Sequence, residues 1–192
     1  MSIKNQKLLY HLTSLDNLES ILTYGLLARN DIIDFDDVAE SDIIIFRKDK
    51  NLTQYVPFHF FARNPFDGRV QKNFPDKQFI YVCVSREFAK ENNFLIIPKH
   101  PRTMKNLIVY DYLEGYEMIE WDLMDKRDYS DDNCRHVCMA ECLSPSKISH
   151  TNFSQVFVKS KEIKTIVNQI CLDILRYSPG FYINVNSNMF ID

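Results

Sequence analysis

The sequence has no long apolar run and nothing that resembles a secretion signal. Its longest apolar blocks, such as residues 43–46 and 95–97, are far shorter than the roughly 18 residues that a membrane-spanning helix needs. The basic N-terminus, residues 1–7, is followed by Asp16 before a signal-peptide cleavage site could form. We therefore expect no membrane association and a cytoplasmic protein.

Glycine is also scarce, with four residues in 192. Neither GxGxxG nor GxxxxGK[ST] occurs, so the glycine-rich loops that hold phosphates in Rossmann and P-loop enzymes are missing. A net charge of -3 gives no overall signal for a nucleic-acid or acidic-membrane binder, and any such partner must be bound by a local patch.

The five cysteines are odd in number and too sparse for a disulfide scaffold, so reduced thiols are expected. Cys134, Cys138 and Cys142 follow one another at a spacing of four, which would suit a metal site on a helix. A second ligand pair is missing, however. We therefore predict no metal, and interpret the three residues as small apolar groups on one side of a strand.

The chain is predicted to form one α+β domain over residues 1–192. A hydrophobic content of 45% supports a sizeable core, and no repeat or flexible linker divides the chain. The strands and helices do not alternate regularly, which argues against a doubly wound parallel sheet. We predict helices at 18–25, 86–92 and 161–175, and strands at 8–12, 43–46, 56–61, 78–85, 94–97, 137–143, 148–158 and 181–185.

Basic and aromatic residues are concentrated in the middle of the chain. Residues 51–112 contain nine basic and five acidic residues, together with Tyr55, Phe58, Phe60, Phe61, Phe66 and Phe74. Basic groups interleaved with aromatics are typical of a groove for single-stranded nucleic acid. The alternative is a solvated face beside an aromatic core.

Three separated motifs resemble one known family. Residues 10–26, which read Tyr-His-Leu-Thr and later Gly-Leu, resemble the opening of the ADP-ribosyltransferase fold. Residues 55–65 are similar to the Val-Pro-Phe-x-Phe-x-x-Arg-x-Pro segment of the DarT family. Residues 135–143 resemble that family's Arg-x-x-x-Ala-Glu-x-Leu motif. The motifs occur in the family's order, so the resemblance extends from about residue 8 to residue 143.

The resemblance implies a fold and a reaction. The fold would be a mixed or antiparallel β core of two packed sheets with flanking helices. The protein would be the toxin of a toxin–antitoxin system that transfers ADP-ribose from NAD to a base in single-stranded DNA. NAD would be a co-substrate, no metal would be needed, and the partner would be an antitoxin that removes ADP-ribose.

The resemblance also implies site residues. Glu141 would be the catalytic carboxylate, since a carboxylate can stabilise the positive charge that develops on the ribose as nicotinamide leaves. Arg63 would be the second catalytic residue: it would contact NAD and help to activate or hold the base. The remaining NAD-binding residues would be His11, Leu12, Thr13, Asn17, Gly25 and Leu26, with Tyr55 and Phe60 as aromatic walls. The acidic stretch 121–132 would precede Glu141 as the substrate-recognition loop.

Some alternatives stay open. Many relatives continue the arginine segment as Arg-Ser-Pro-Met-Leu-Tyr, whereas here residues 63–69 read Arg-Asn-Pro-Phe-Asp-Gly-Arg, so the target base is left undecided between thymine and guanine. An RNA 2′-phosphotransferase shares the opening pattern. A non-catalytic binding protein with the same fold is the third possibility.

Overall fold

The computed structural model describes residues 2–32, 35–38, 41–104 and 106–191. Its strands are β1 (Leu8–Ser14), β2 (Val56–His59), β3 (Phe79–Ser85), β4 (Leu95–Ile97), β5 (Tyr110–Asp111), β6 (Glu141–Ser144), β7 (Gln155–Val158) and β8 (Tyr182–Val185). Its helices are α1 (Leu18–Tyr24), α2 (Ser41–Asp49), α3 (Pro65–Asn73), α4 (Arg86–Glu91), α5 (Tyr112–Met118), α6 (Trp121–Lys126), α7 (Asp132–Val137) and α8 (Lys161–Leu175). Short 3-10 turns, including Leu15–Asn17 and Pro101–Thr103, connect them.

The strands form one mixed sheet in the order β5-β4-β6-β2-β1-β3-β7-β8. Every neighbouring pair is antiparallel except β7 and β8, which are parallel. The predicted fold class, a mixed α+β core with flanking helices, is confirmed. The expected pair of packed sheets is corrected to a single eight-stranded sheet in the described part of the chain.

Both faces of the sheet are covered, which explains why strand β3 is apolar over residues 79–84. Six consecutive residues of β3, from Phe79 to Val84, are buried. Ile80, Val82 and Val84 pack with the larger cluster under α1, α4, α6 and α8, whereas Tyr81 and Cys83 pack on the opposite face with Phe190. A strand buried on both faces cannot show polar alternation.

The C-terminal helix and the last strand agree with the sequence prediction. Helix α8 spans Lys161–Leu175. Ser160 caps its N-terminus, since its hydroxyl accepts a hydrogen bond from the Ile163 N–H at 3.3 Å. It ends at Arg176, whose left-handed φ of 64° stops the hydrogen-bond ladder. Strand β8 lies at the edge of the sheet, as the pattern of residues 181–185 predicted.

Several local predictions were wrong. The strand predicted at 137–143 begins only at Glu141, and the strand predicted at 148–158 is limited to Gln155–Val158. Residues 43–46 belong to helix α2 and not to a strand. The stretch 121–132 is mostly helical, because α6 and the start of α7 occupy it. Cys134 lies in α7 and Cys142 in β6, so the cysteine trio does not line one strand. All five cysteines are free and buried, as the packing interpretation requires. Among the described residues no three His, Cys, Asp or Glu side chains group as metal ligands.

The aromatic residues of the 51–112 segment are divided between core and cleft. Phe58, Phe60 and Phe61 are at most 2% exposed, so they cannot stack on nucleic-acid bases. The alternative of an aromatic core is therefore the correct interpretation for these three phenylalanines.

Lys105 of this segment lies outside the described residues, as do Asp34 and Glu40 of the acidic stretch after Gly25. None of the helices in the described ranges is long and apolar enough to cross a membrane.

One buried arginine ties three segments of the chain together. The Arg86 guanidinium donates hydrogen bonds to the backbone oxygens of Lys4 at 3.0 Å, Leu8 at 3.1 Å and Phe60 at 2.9 Å. It also lies over the rings of Phe60 and Trp121. Burial lowers its pKa, while nearby tyrosines act in the opposite direction. Arg86 thus provides hydrogen-bond donors to carbonyl groups of three separate segments, and its bond to the Phe60 carbonyl is fully buried.

We predict that Arg86→Met lowers the free energy of unfolding by about 3 kcal/mol, since it leaves buried carbonyl oxygens unsatisfied. Urea denaturation followed by circular dichroism measures the change. Lys90→Met, at an exposed position of the same helix, is the matched control and should change the stability by less than about 0.5 kcal/mol. Equal effects of the two substitutions would show that the Arg86 hydrogen bonds contribute nothing specific.

Candidate active site

A cleft opens where the central strands β1 and β2 separate. In the described structure these strands pair at one position, Tyr10 with His59, and then diverge. The imidazole of His11 bridges the gap, because its Nδ1–H donates to the Pro57 carbonyl oxygen at 2.7 Å. Proline has no backbone N–H, so the ladder cannot continue through Pro57. Residues from β1, α1, α2, β2 and β6 line the resulting cleft.

The His-Leu-Thr motif contributes its polar groups to this cleft. His11, Leu12, Thr13 and Asn17 all line it. Burial lowers the pKa of His11 to about 4, so the imidazole is neutral at physiological pH, with its Nε2 as an acceptor. The Asn17 amide donates to the Thr13 hydroxyl at 3.2 Å, which fixes the hydroxyl relative to α1.

Gly25 and Leu26 form the end of the cleft beyond α1. Gly25 has φ +93°, and a Cβ at this position would lie 2.9 Å from the Ile148 carbonyl oxygen. Leu26 and Ile148 exchange two backbone hydrogen bonds, at 2.8 and 3.0 Å. Only glycine meets both requirements, since side chains rarely tolerate this φ. The close approach fixes the path of the chain as it leaves α1.

An ion pair between Glu141 and Arg47 lies in the cleft. Glu141 is the first residue of β6 and lies opposite His59 of β2 and Ile97 of β4 in the sheet. The Nη1 group of Arg47 donates to both carboxylate oxygens, at 2.9 and 2.7 Å. The two side chains are 12% and 9% exposed. Such burial strengthens their attraction and leaves the carboxylate one fixed orientation.

Two residues expected at the site lie elsewhere. Arg63 is exposed and does not line the cleft; its Nη1 donates to the Asn188 carbonyl oxygen at 3.4 Å. The backbone of Arg63 is left-handed, with φ 57°, and its N–H donates a hydrogen bond to the Tyr81 hydroxyl. Phe60 is 1% exposed and packs edge-on against Trp121 in the core. Tyr55, the other expected aromatic wall, does line the cleft.

Three further titratable groups surround the Glu141 side of the cleft. His59 donates from Nδ1 to the Ala140 carbonyl oxygen at 3.0 Å. Burial lowers the pKa of His100 to about 4, and the Glu141 carboxylate opposes this shift. Burial also raises the pKa of Asp67 to about 6, although the Tyr81 hydroxyl and the Asn64 amide both donate to its Oδ2. Near neutral pH, His11 and His100 are uncharged.

A short segment, residues 35–38, covers part of the cleft and is attached to its wall. The Asn17 side chain accepts a hydrogen bond from the Asp36 N–H at 2.7 Å and donates to the Asp36 carbonyl oxygen at 3.0 Å. The Asp36 carboxylate pairs with Lys77 at 2.5 Å, and this contact lowers its pKa. We call residues 35–38 the acidic strap.

We predict that Asn17→Ala releases the acidic strap, because the alanine cannot replace the two hydrogen bonds to the Asp36 backbone. Hydrogen–deuterium exchange should show faster uptake at the Asp36 amide. Asn92→Ala, which removes an exposed side-chain hydrogen bond to Phe88, is the control and should leave the uptake of this segment unchanged. Unaltered exchange at Asp36 in the Asn17 variant would contradict the attachment described here.

Sequence reasoning missed Arg47, although a signal for it was present. The block Ile43–Phe46 was interpreted as a strand because it is apolar, which separated it from the following arginine. In a helix, Ile43 and Arg47 lie four residues apart on one face, and both line the cleft. Ser41 and Asp42, residues typical of a helix start, precede the block.

Comparison with known proteins identifies a family whose model matches most of this chain. The model of the family described as "ssDNA thymidine ADP-ribosyltransferase, DarT" matches residues 10–191. A curated relative from Thermosipho africanus, described as a DNA ADP-ribosyl transferase–DNA ADP-ribosyl glycohydrolase fusion protein, is 24% identical over 174 residues. The match covers 81% of this chain, which spans 43% of that relative's length.

Two solved structures share the fold. Thermus sp. 2.9 DarT in complex with ADP-ribosylated ssDNA superposes with a TM-score of 0.81 at 19% identity, covering 96% of each chain. Thermus sp. 2.9 DarT in complex with NAD+ gives a TM-score of 0.76 at 17% identity, covering 96% of this chain and 97% of that one. The single sheet and its flanking helices are therefore the architecture of these proteins.

Proposed function

We propose that this chain, which belongs to the DarT family of ssDNA thymidine ADP-ribosyltransferases, transfers ADP-ribose from NAD to a base of single-stranded DNA and releases nicotinamide. The family-model match over residues 10–191 confirms the family predicted from the three motifs. The observation that carries the proposal is the buried Glu141 carboxylate, which Arg47 holds in the same cleft as His11 and Thr13.

The cleft residues divide into two groups in this proposal. His11, Leu12 and Thr13 bind the nicotinamide and its ribose, with the neutral imidazole and the Thr13 hydroxyl supplying hydrogen bonds. Asn17 and the Gly25-Leu26 turn complete that wall, and Tyr55 provides an apolar surface for a flat ring. The structure of the Thermus relative with NAD+ supports this use of the cleft.

Glu141 acts on the reacting carbon. Breaking the bond between ribose and nicotinamide leaves positive charge on the ribose, and a fixed carboxylate stabilises that charge without reorganising. Burial makes the effect larger than it would be in water. Arg47 is a positioning residue for this step, because its Nη1 group holds both oxygens of Glu141.

The family description and the curated relative indicate the target base and the partner. The family description names thymidine, which supports thymine as the base. The Thermosipho africanus relative includes an ADP-ribosyl glycohydrolase, which supports a partner antitoxin that removes the ADP-ribose. We also propose that residues 1–192 act as one ADP-ribosyltransferase-like domain in the cytoplasm, where NAD is available and the five free cysteines stay reduced.

We expect Glu141→Gln to abolish transfer, with a loss of at least about a hundredfold in rate, because the amide has no charge to stabilise the ribose cation. The assay incubates the protein with NAD and single-stranded oligonucleotides of differing base content, and detects added ADP-ribose by mass spectrometry. Glu91→Gln, an exposed substitution, is the control and should retain full activity. Full activity of Glu141→Gln would overturn the proposed function.

A paired substitution tests which arginine serves the site. Arg47→Gln should reduce transfer by at least about tenfold, because Glu141 loses its charged partner and its fixed orientation. Arg63→Gln should retain transfer within about twofold of the unmodified protein, a change of less than about 0.5 kcal/mol in transition-state stabilisation, since this side chain lies outside the cleft. The reverse order of effects in the same assay would restore Arg63 to the catalytic centre.

A further inference from the structure

The cleft contains few positively charged side chains that could bind the phosphates of a dinucleotide. Among the described residues that line it, the arginines are Arg29 and Arg47, and no lysine lines it. His11 and His100 have pKa values lowered to about 4 by burial, so they carry no charge near neutral pH. Arg47 is committed to Glu141. An anionic ligand that enters this cleft therefore depends on Arg29.

Arg29 lies next in the chain to the residues that form the end of the cleft. Gly25, Leu26 and Leu27 line the cleft, and Arg29 follows them at the start of a 3-10 turn. Its guanidinium is held over the Phe35 ring, with 5.1 Å between its central carbon and the ring centroid. The Arg29 and Asp37 side chains are 26% and 32% exposed, which leaves the pair accessible from the cleft.

The Arg29 guanidinium is paired with a carboxylate of the acidic strap. Its two terminal nitrogens donate to the two carboxylate oxygens of Asp37, one contact through Nη1 and the other at 2.9 Å through Nη2. Guanidinium groups bind phosphate oxygens with the same bidentate geometry. Asp37 thus takes the position that a phosphate group would take.

We propose that Arg29 binds the pyrophosphate of NAD, and that Asp37 of the acidic strap is an internal competitor which NAD displaces from the Arg29 guanidinium. The inference rests on the proposed function, since NAD is its ligand. On binding, the guanidinium keeps its contact with Phe35 and exchanges one anion for another. The remaining attachment of the strap, through Asn17 and Lys77, allows Asp37 to leave without releasing the whole segment.

The proposal predicts opposite effects from the two partners of one ion pair. Arg29→Gln should weaken NAD binding by about tenfold or more, because the charged hydrogen bonds to phosphate are lost. Asp37→Asn should strengthen NAD binding severalfold, because the competitor loses its charge. Nicotinamide riboside, which has no phosphate, should bind both variants as it binds the unmodified protein.

Isothermal titration calorimetry without DNA measures these affinities, with ADP-ribose as a second phosphate-bearing probe. Thermal denaturation of each variant verifies that it is folded, and Arg29→Lys tests whether the guanidinium fork is needed. Equal weakening of NAD and nicotinamide riboside in both variants would assign the pair a structural role and overturn the proposal. Unchanged NAD binding in Arg29→Gln would overturn it as well, while leaving the proposed function intact. If the unmodified protein bound no NAD at all, the proposed function itself would fail.

Discussion

The buried ion pair of Glu141 and Arg47 is the constraint on which the site depends. A carboxylate that is 9% exposed is costly unless a charged, hydrogen-bonded partner accompanies it. Replacing such a pair by apolar residues is often neutral or stabilising in proteins. Its presence at the start of β6, beside the cleft, is therefore better explained by chemistry than by stability. The position of helix α2 places Arg47 within hydrogen-bonding distance of Glu141.

The sheet supplies the space for this chemistry by leaving one seam incomplete. β1 is paired along seven positions with β3 on one side but at Tyr10 alone with β2 in the described structure. Pro57 and the His11 imidazole occupy the place where the ladder would continue. The cleft is therefore lined by strands that the rest of the sheet holds in place, and hydrogen bonds within the protein orient its polar groups. Fixed groups of this kind are what electrostatic catalysis requires.

Local patterns predicted much of the fold, and failed where tertiary contacts decide. The amphipathic pattern of Lys161–Leu175 and the apolar run of β3 specify their own structures. The block at 43–46 is also apolar, yet it lies in helix α2, which has no fully buried side chain among its described residues and places Ile43 at the cleft. Glu141 could be found from a motif, since its strand and neighbours match a family pattern. The helix that carries Arg47 could be recognised from Ser41 and Asp42, but its pairing with Glu141 could not, because the two residues lie 94 positions apart in the sequence, and contacts at that separation are set by topology.

A crystal structure of this protein with NAD would test the central claim most directly. The account predicts that the nicotinamide ribose lies against the Glu141 carboxylate, with His11 and Thr13 at its nicotinamide side and Arg47 still holding both carboxylate oxygens. NAD bound elsewhere, or bound in the cleft with its ribose beyond hydrogen-bonding distance of Glu141, would contradict the account.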